Sequence, residues 1–163
     1  METEYILNTC DEKTVSNLTV IHYGSNTYKP EHVSEIKNNS YRNKPRGGLW
    51  TSPIGSKWGW KDWCEEENFR ECNEDVCFKL KFKPNTKILT IDTIDDMLSL
   101  PTHTTEFNSI LPNFELLSKE FDAIWLTRNG ELETRFSYSD FNLYGWDCES
   151  ILILNKNCCY QVT

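Results

Sequence analysis

Positive charge is in short supply: 17 Lys and Arg face 25 Asp and Glu, leaving a formal charge of −8 over 163 residues. A general nucleic-acid clamp needs the opposite balance, because neutralising phosphates takes a surplus of cations. Long apolar runs are also missing. The longest aliphatic stretch, Ile151-Leu152-Ile153-Leu154, falls far below the roughly 20 residues that span a bilayer, and it reads as a buried strand. Met1-Glu2-Thr3-Glu4 has no basic flank before an apolar segment, so no secretory signal, no membrane partner and a cytoplasmic location are expected. Only seven glycines are present, with no G-x-G-x-x-G and no Walker loop, which excludes the Gly-rich Rossmann and P-loop modes of nucleotide binding. No repeat, low-complexity block or Gly/Ser linker marks a boundary, so residues 1–163 read as one domain.

Cysteine is the one abundant metal or disulfide former, with seven copies. The odd number and the expected compartment argue against a disulfide framework. Cys64, Cys72 and Cys77 lack the paired C-x2-4-C spacing of structural zinc, so no metal is expected. Cys158-Cys159 is a vicinal pair whose thiols strand alternation would separate. The sequons at Asn17 and Asn38 carry no meaning in a protein that never meets the secretory pathway.

Enough apolar and aromatic residues remain, 38% and 13%, to bury a core. The pattern predicts a short strand at Leu18–His22, ended by Gly24-Ser25-Asn26, then one helical turn from Pro30 with Val33 and Ile36 on one face. Residues 37–46 are polar and basic, a loop by composition. A strand at Leu49–Ser52 follows, then a helix over Ser56–Asn68 capped by Ser56. Alternation predicts a strand over Asp75–Phe82, and Lys87–Asp92 reads as another strand. Thr93 caps a helix to Leu100, residues 101–112 read as loop, and Asn113 caps a helix to Phe121. Asp122–Thr127 reads as a strand, with Asn129-Gly130 turning it into a hairpin partner at Leu132–Phe136. Glu149–Asn155 is the most apolar strand, with Cys158–Val162 beside it. Short strands and helices interleave without a βαβ rhythm, an α+β pattern.

Three places hold residues able to carry chemistry. Ile21-His22-Tyr23-Gly24-Ser25 sets an imidazole at a strand end beside a small-residue turn, where a ring N–H can donate to a hydroxyl and glycine lets a ligand approach the backbone. Gly47-Gly48-Leu49-Trp50-Thr51-Ser52-Pro53 precedes Trp58, Trp60 and Trp63, so four of the six tryptophans fall within fourteen residues. Trp58 and Trp60 cannot both be buried on one helical face, and flat rings suit a pocket for another flat ring. Tyr144-Gly145-Trp146-Asp147-Cys148-Glu149-Ser150 runs straight into the apolar strand. A carboxylate there stands at the edge of low-dielectric surroundings and needs a partner or ligand.

In this order the three places resemble the His–Tyr–Glu branch of the ADP-ribosyltransferase superfamily, which holds the poly-ADP-ribosyltransferases and diphtheria-type toxins. Ile21-His22-Tyr23-Gly24-Ser25 is similar to that branch's His-Gly-Ser/Thr element. Gly48-Leu49-Trp50-Thr51-Ser52, continued by Ser56-Lys57, is similar to its Gly-Ile/Phe-Tyr element, and Glu149-Ser150-Ile151-Leu152-Ile153 to its Glu-Tyr-Ile-Val strand. Tyr23 stands between His22 and Gly24, and Trp50 replaces the tyrosine, keeping a ring and losing a hydroxyl.

The resemblance implies a split pair of small, mostly antiparallel β-sheets flanked by short helices. It implies cleavage of the nicotinamide–ribose bond of NAD⁺, a co-substrate, and transfer of ADP-ribose to a macromolecular acceptor, protein rather than nucleic acid, in a small bacterial or phage effector. Glu149 would meet the ribose 2′-hydroxyl and favour an oxocarbenium ion, and His22 would fix the ribose pose. Tyr23, Gly24, Ser25, Trp50, Thr51, Trp60 and Trp63 would surround the dinucleotide, with Arg46, beside Arg42 and Lys44, meeting the pyrophosphate. Asp147 stands two residues before Glu149, placed for acceptor selection. Glu131-Leu132-Glu133 has the Glu-x-Glu spacing of the arginine-modifying branch, although a hairpin with solvated acids explains it, and Glu133 is the rival carboxylate. The two departures also fit a module of this fold that binds NAD⁺, ADP-ribose or a protein without turnover.

Overall fold

The computed structural model of the protein describes residues 7–163, so the reading of Met1–Glu4 lies outside the described residues. The chain is α+β, with mostly antiparallel sheets and short helices. Ten strands form: β1 (Thr19–Tyr23), β2 (Ser34–Lys37), β3 (Arg46–Pro53), β4 (Cys77–Phe82), β5 (Ile88–Ile91), β6 (Thr102–Thr104), β7 (Ile110–Pro112), β8 (Ala123–Leu126), β9 (Ser150–Ile153) and β10 (Cys159–Val162). The helices are α1 (Glu12–Asn17), α2 (Trp60–Glu66), α3 (Ile94–Leu98), α4 (Phe114–Glu120) and α5 (Arg128–Thr134). The main sheet runs β10-β4-β1-β3-β9-β8-β5, with β2 on β3, while β6 and β7 pair apart from it.

The apolar run 151–154 fills the middle of this sheet because every residue of β9 is buried, as a strand covered on both faces requires. Leu152 joins one apolar cluster with Leu89, Ile91, Ile124 and Leu126 under Met97, Phe114, Leu117 and Trp146. Ile151 and Ile153 join a second on the other face with Val15, Val20, Leu49, Phe78 and Leu80. Among the described residues only β5 and β8 run parallel, and their connection carries α3 and α4 across one face.

The sheet has a waist. β1 and β3 register through Val20↔Pro53 and Ile21↔Ser52 alone, whereas β1 pairs with β4 along its whole length. Two half-sheets, β10-β4-β1 and β3-β9-β8-β5, therefore meet at one short ladder. Toward the other end of β3, Gly48 stands opposite Ser34 of β2 at φ +70, where an added Cβ would come within 2.7 Å of the Leu152 side chain. The glycine lets β3 kink against β2 and still touch β9.

Several sequence expectations need correcting. Residues 128–134 form α5 and not a hairpin arm: Thr127 Oγ1 accepts from Gly130 N at 2.9 Å, and Asn129 donates to Asp92 O, so the Asn-Gly pair starts a helix. The 101–112 loop contains β6 and β7. Ser34–Lys37 is a strand after a single 3-10 turn at Pro30–His32. The tryptophan-rich helix starts at Trp60, where Asp62 accepts from Gly59 N, and Ser56 lies outside it. β10 pairs with β4, because β3 and β8 already occupy both edges of β9. All seven cysteines are free, and Cys158 and Cys159 share one apolar cluster where strand alternation had placed them apart.

The caps of α3 and α4 are as the sequence predicts: Thr93 and Asp96 cap α3 reciprocally, and Asn113 accepts from Leu116 N at the start of α4. Among the described residues no helix is long and apolar enough to cross a membrane, and no group of three or more His, Cys, Asp or Glu is placed to hold a metal ion.

Gly130 presses α5 onto β5 so closely that an added Cβ would sit 2.0 Å from the Ile91 carbonyl oxygen. Gly130→Ala is expected to lower stability by about 3 kcal/mol, seen as a reduced urea midpoint at unchanged slope.

Candidate functional site

Where β1 leaves β3, the ladder bond next in line is replaced by a side chain: His22 Nδ1 lies 2.8 Å from the Trp50 carbonyl oxygen. A carbonyl only accepts, so Nδ1 carries the proton and neutral His22 offers Nε2 as an acceptor. The expectation that neutral His22 donates to a ligand hydroxyl is therefore reversed. The ring stacks on Phe78 at 5.1 Å. Burial pushes the imidazole below the ordinary histidine value. The Trp50 carbonyl opposes this, and His32 and Arg70 reinforce it.

The gap between the strands is a cavity of about 240 Å³ lined by His22, Tyr23, Lys44, Trp50, Trp60 and Arg70. Each tryptophan face carries a cation. Lys44 Nζ lies 5.2 Å from the Trp50 ring centre, and Arg70 lies 5.9 Å from that of Trp60. Lys44 also pairs with Asp147 at 3.1 Å, tying the basic loop to the segment that precedes Glu149. The Trp50 ring is held edge-on against Trp146 at 4.8 Å. A second cavity of about 250 Å³ shares Tyr23 and Trp60 and adds Ser52, Ser56, Gly59 and Lys61. Each alone falls below the ~300 Å³ at which ligand pockets usually begin, and Tyr23 and Trp60 line both. Grooves of about 570 and 620 Å³ lie elsewhere on the surface, and neither contains His22 or Trp50.

Glu149 immediately precedes β9, the strand paired with Trp50 on β3. Extending the registers sets it level with Pro53 and Val20, on the same face as His22 and two positions along. Strand spacing and rise put the two backbones about 12 Å apart. The carboxylate is buried, and both of its oxygens are engaged. Ser56 Oγ donates to Oε1, and Trp125 Nε1 donates to Oε2 at 3.0 Å. Its backbone is fixed as well: Glu149 N donates to Trp58 O, and Ser52 Oγ donates to Glu149 O, both at 2.9 Å. Glu149 thus stands behind Ser56, outside the lining of either cavity.

Other expected residues fall away from the cavity. Thr51 is buried and donates to the Ile151 carbonyl at 2.7 Å, so its hydroxyl serves the sheet. Trp63 stacks on Trp60 at 5.3 Å and lines a separate hollow with Trp58, Arg135 and Tyr144. Arg46 is exposed at the start of β3 opposite Lys37, and Arg70 lines the cavity where Arg46 does not. Gly24 donates its N–H to Val76 O and faces open space, while Ser25 Oγ turns to Thr27 O. The solvated-acid reading of Glu131 is also corrected: it is buried on α5 between Arg128 and Arg135. Glu133 accepts from Asn129 on the exposed side.

Arg70 and Trp125 had not been singled out. Arg70 sits in irregular chain after α2, where no periodicity places it. Trp125 lies between the buried Ile124 and Leu126, so alternation alone assigns it to the face opposite theirs.

A folded-state His22 value below the unfolded one makes the unfolded chain take up the proton first. Stability is then complete above the ordinary value of 6.5 and is lost as pH falls through the depressed folded value. Between about pH 7.5 and about pH 5, the urea midpoint of the wild type should fall further than that of His22→Gln, which has no titrating ring. Parallel curves would rule out a proton-linked role for this imidazole in folding.

No family model matches the chain, and no curated protein or solved structure matches it either. The chemistry open to the site therefore follows from its geometry.

Proposed function

We propose that the protein is a cytoplasmic NAD⁺ ADP-ribosyltransferase with a split-sheet, ADP-ribosyltransferase-like fold. One observation carries the reading. The three motifs that resemble this family, far apart in sequence, occupy the consecutive strands β1, β3 and β9, with His22 bonded to the Trp50 backbone at a cavity where the sheet divides. The waist between the half-sheets supports the split-sheet part of the proposal.

In this reading the nicotinamide–ribose C–N bond breaks and its electron pair leaves with nicotinamide. The ribose becomes an oxocarbenium ion, and a nucleophile of a protein acceptor closes on its C1′. Glu149 places negative charge beside that developing cation, in surroundings dry enough to strengthen the attraction. Trp50 and Trp60 offer ring faces on two sides of the cavity. Lys44 and Arg70, the two cations lining it, suit the diphosphate despite the acidic total charge. Neutral His22 accepts a ribose hydroxyl through Nε2.

A second reading, an NAD⁺- or ADP-ribose-binding module without turnover, is favoured by the full hydrogen bonding of Glu149 behind Ser56. Incubation with labelled NAD⁺ and cell lysate separates the two. The transferase is expected to release nicotinamide and label protein, with Glu149→Gln slower by about 10²–10³-fold. Calorimetric binding of NAD⁺ without nicotinamide release would establish the module instead, and no binding at all would sink both.

A further inference from the structure

The two donors on the Glu149 carboxylate differ in kind. Trp125 is level with Ile151 in the β8–β9 ladder, two positions from Glu149, and reaches it diagonally across that ladder. An indole N–H can only donate, so this bond admits no rearrangement. Ser56 can both donate and accept. Its hydroxyl donates to Oε1 and accepts from Trp58 N at 3.2 Å, and the residue lines the 250 Å³ cavity. Turning that single O–H away frees Oε1 while the bond from Trp58 persists, and the half-buried hydroxyl lines the open cavity, where water or a ligand can accept its proton.

Resting on the ADP-ribosyl-transfer reading, we infer that Trp125 is a positioning residue that fixes Oε2, and that Ser56 is a placeholder on Oε1 which a substrate ribose hydroxyl displaces. The ribose bearing the scissile bond then occupies the cavity walled by Ser52, Ser56 and Trp60. The diphosphate extends past the shared wall of Tyr23 and Trp60 toward Lys44 and Arg70. The displacement is an exchange of hydrogen-bond donors: Ser56 withdraws one O–H and the ribose supplies another, with no bond to carbon made or broken.

Two measurements test this. The first needs no substrate: in ¹⁵N-labelled protein, the Trp125 indole proton should exchange with D₂O at least about tenfold more slowly in the wild type than in Glu149→Ala. Equal exchange would abolish the clamp, and with it the proposal, whatever the protein catalyses. The second is steady-state nicotinamide release. Trp125→Phe keeps a ring and loses the N–H, and it should lower kcat about 10- to 100-fold at unchanged KM for NAD⁺. Ser56→Ala removes the competing donor and should lower KM about threefold, while Ser56→Thr restores the wild-type value.

A wild-type kcat in Trp125→Phe overturns the positioning role. Should that variant fail to fold, Ser56→Ala decides, and an unchanged or raised KM overturns the placeholder. If the wild type releases no nicotinamide, the transfer reading and the Ser56 role fall together. The exchange experiment still reports separately whether Trp125 holds the acid.

Discussion

The short ladder between β1 and β3 is the constraint on which the rest depends. A sheet that stays paired closes its hydrogen bonds strand to strand and leaves no room for a ligand. Here pairing stops after Ile21↔Ser52, and the freed Trp50 carbonyl must find a donor as the strands part. His22 supplies it. One imidazole thus meets a backbone requirement of the split while lining the cavity that the split creates, so its burial, tautomer and place in the site have a single cause.

The same economy holds at Glu149. A carboxylate beside a strand as apolar as β9 cannot stay charged without donors, and the fold provides them from two separate elements, the turn after β3 and the strand β8. The contrast with Glu131 is instructive. That acid is also buried, but two arginines on its own helix neutralise it, whereas Glu149 is held by neutral donors only. Neutral donors satisfy an anion's lone pairs without cancelling its charge, and so leave it able to act on a passing cation.

Much of this was legible in the sequence because it rests on local rules. Alternation placed β4, an unbroken apolar run placed β9, and short polar caps placed α3 and α4. Hairpin chemistry misled at Asn129-Gly130, where Thr127 offers a helix cap and the missing Cβ of Gly130 lets a helix lie against Ile91. The partner of β10 was out of reach for a different reason: which edge a strand takes depends on which edges others have filled. The order of His22, Trp50 and Glu149 was readable, but Arg70 and Trp125 enter only through tertiary placement. Likewise Thr51, Trp63 and Arg46 sit in or beside the right segments and line neither cavity.

The waist has a mechanical corollary. On one face Val20, Phe78 and Leu80 of one half-sheet share an apolar cluster with Leu49, Ile151 and Ile153 of the other, so the seam is welded there by close-packed side chains. Swinging the halves apart would break that weld. The cations over the indoles stand apart from that weld: Lys44 and Arg70 sit on irregular segments and belong to neither apolar cluster.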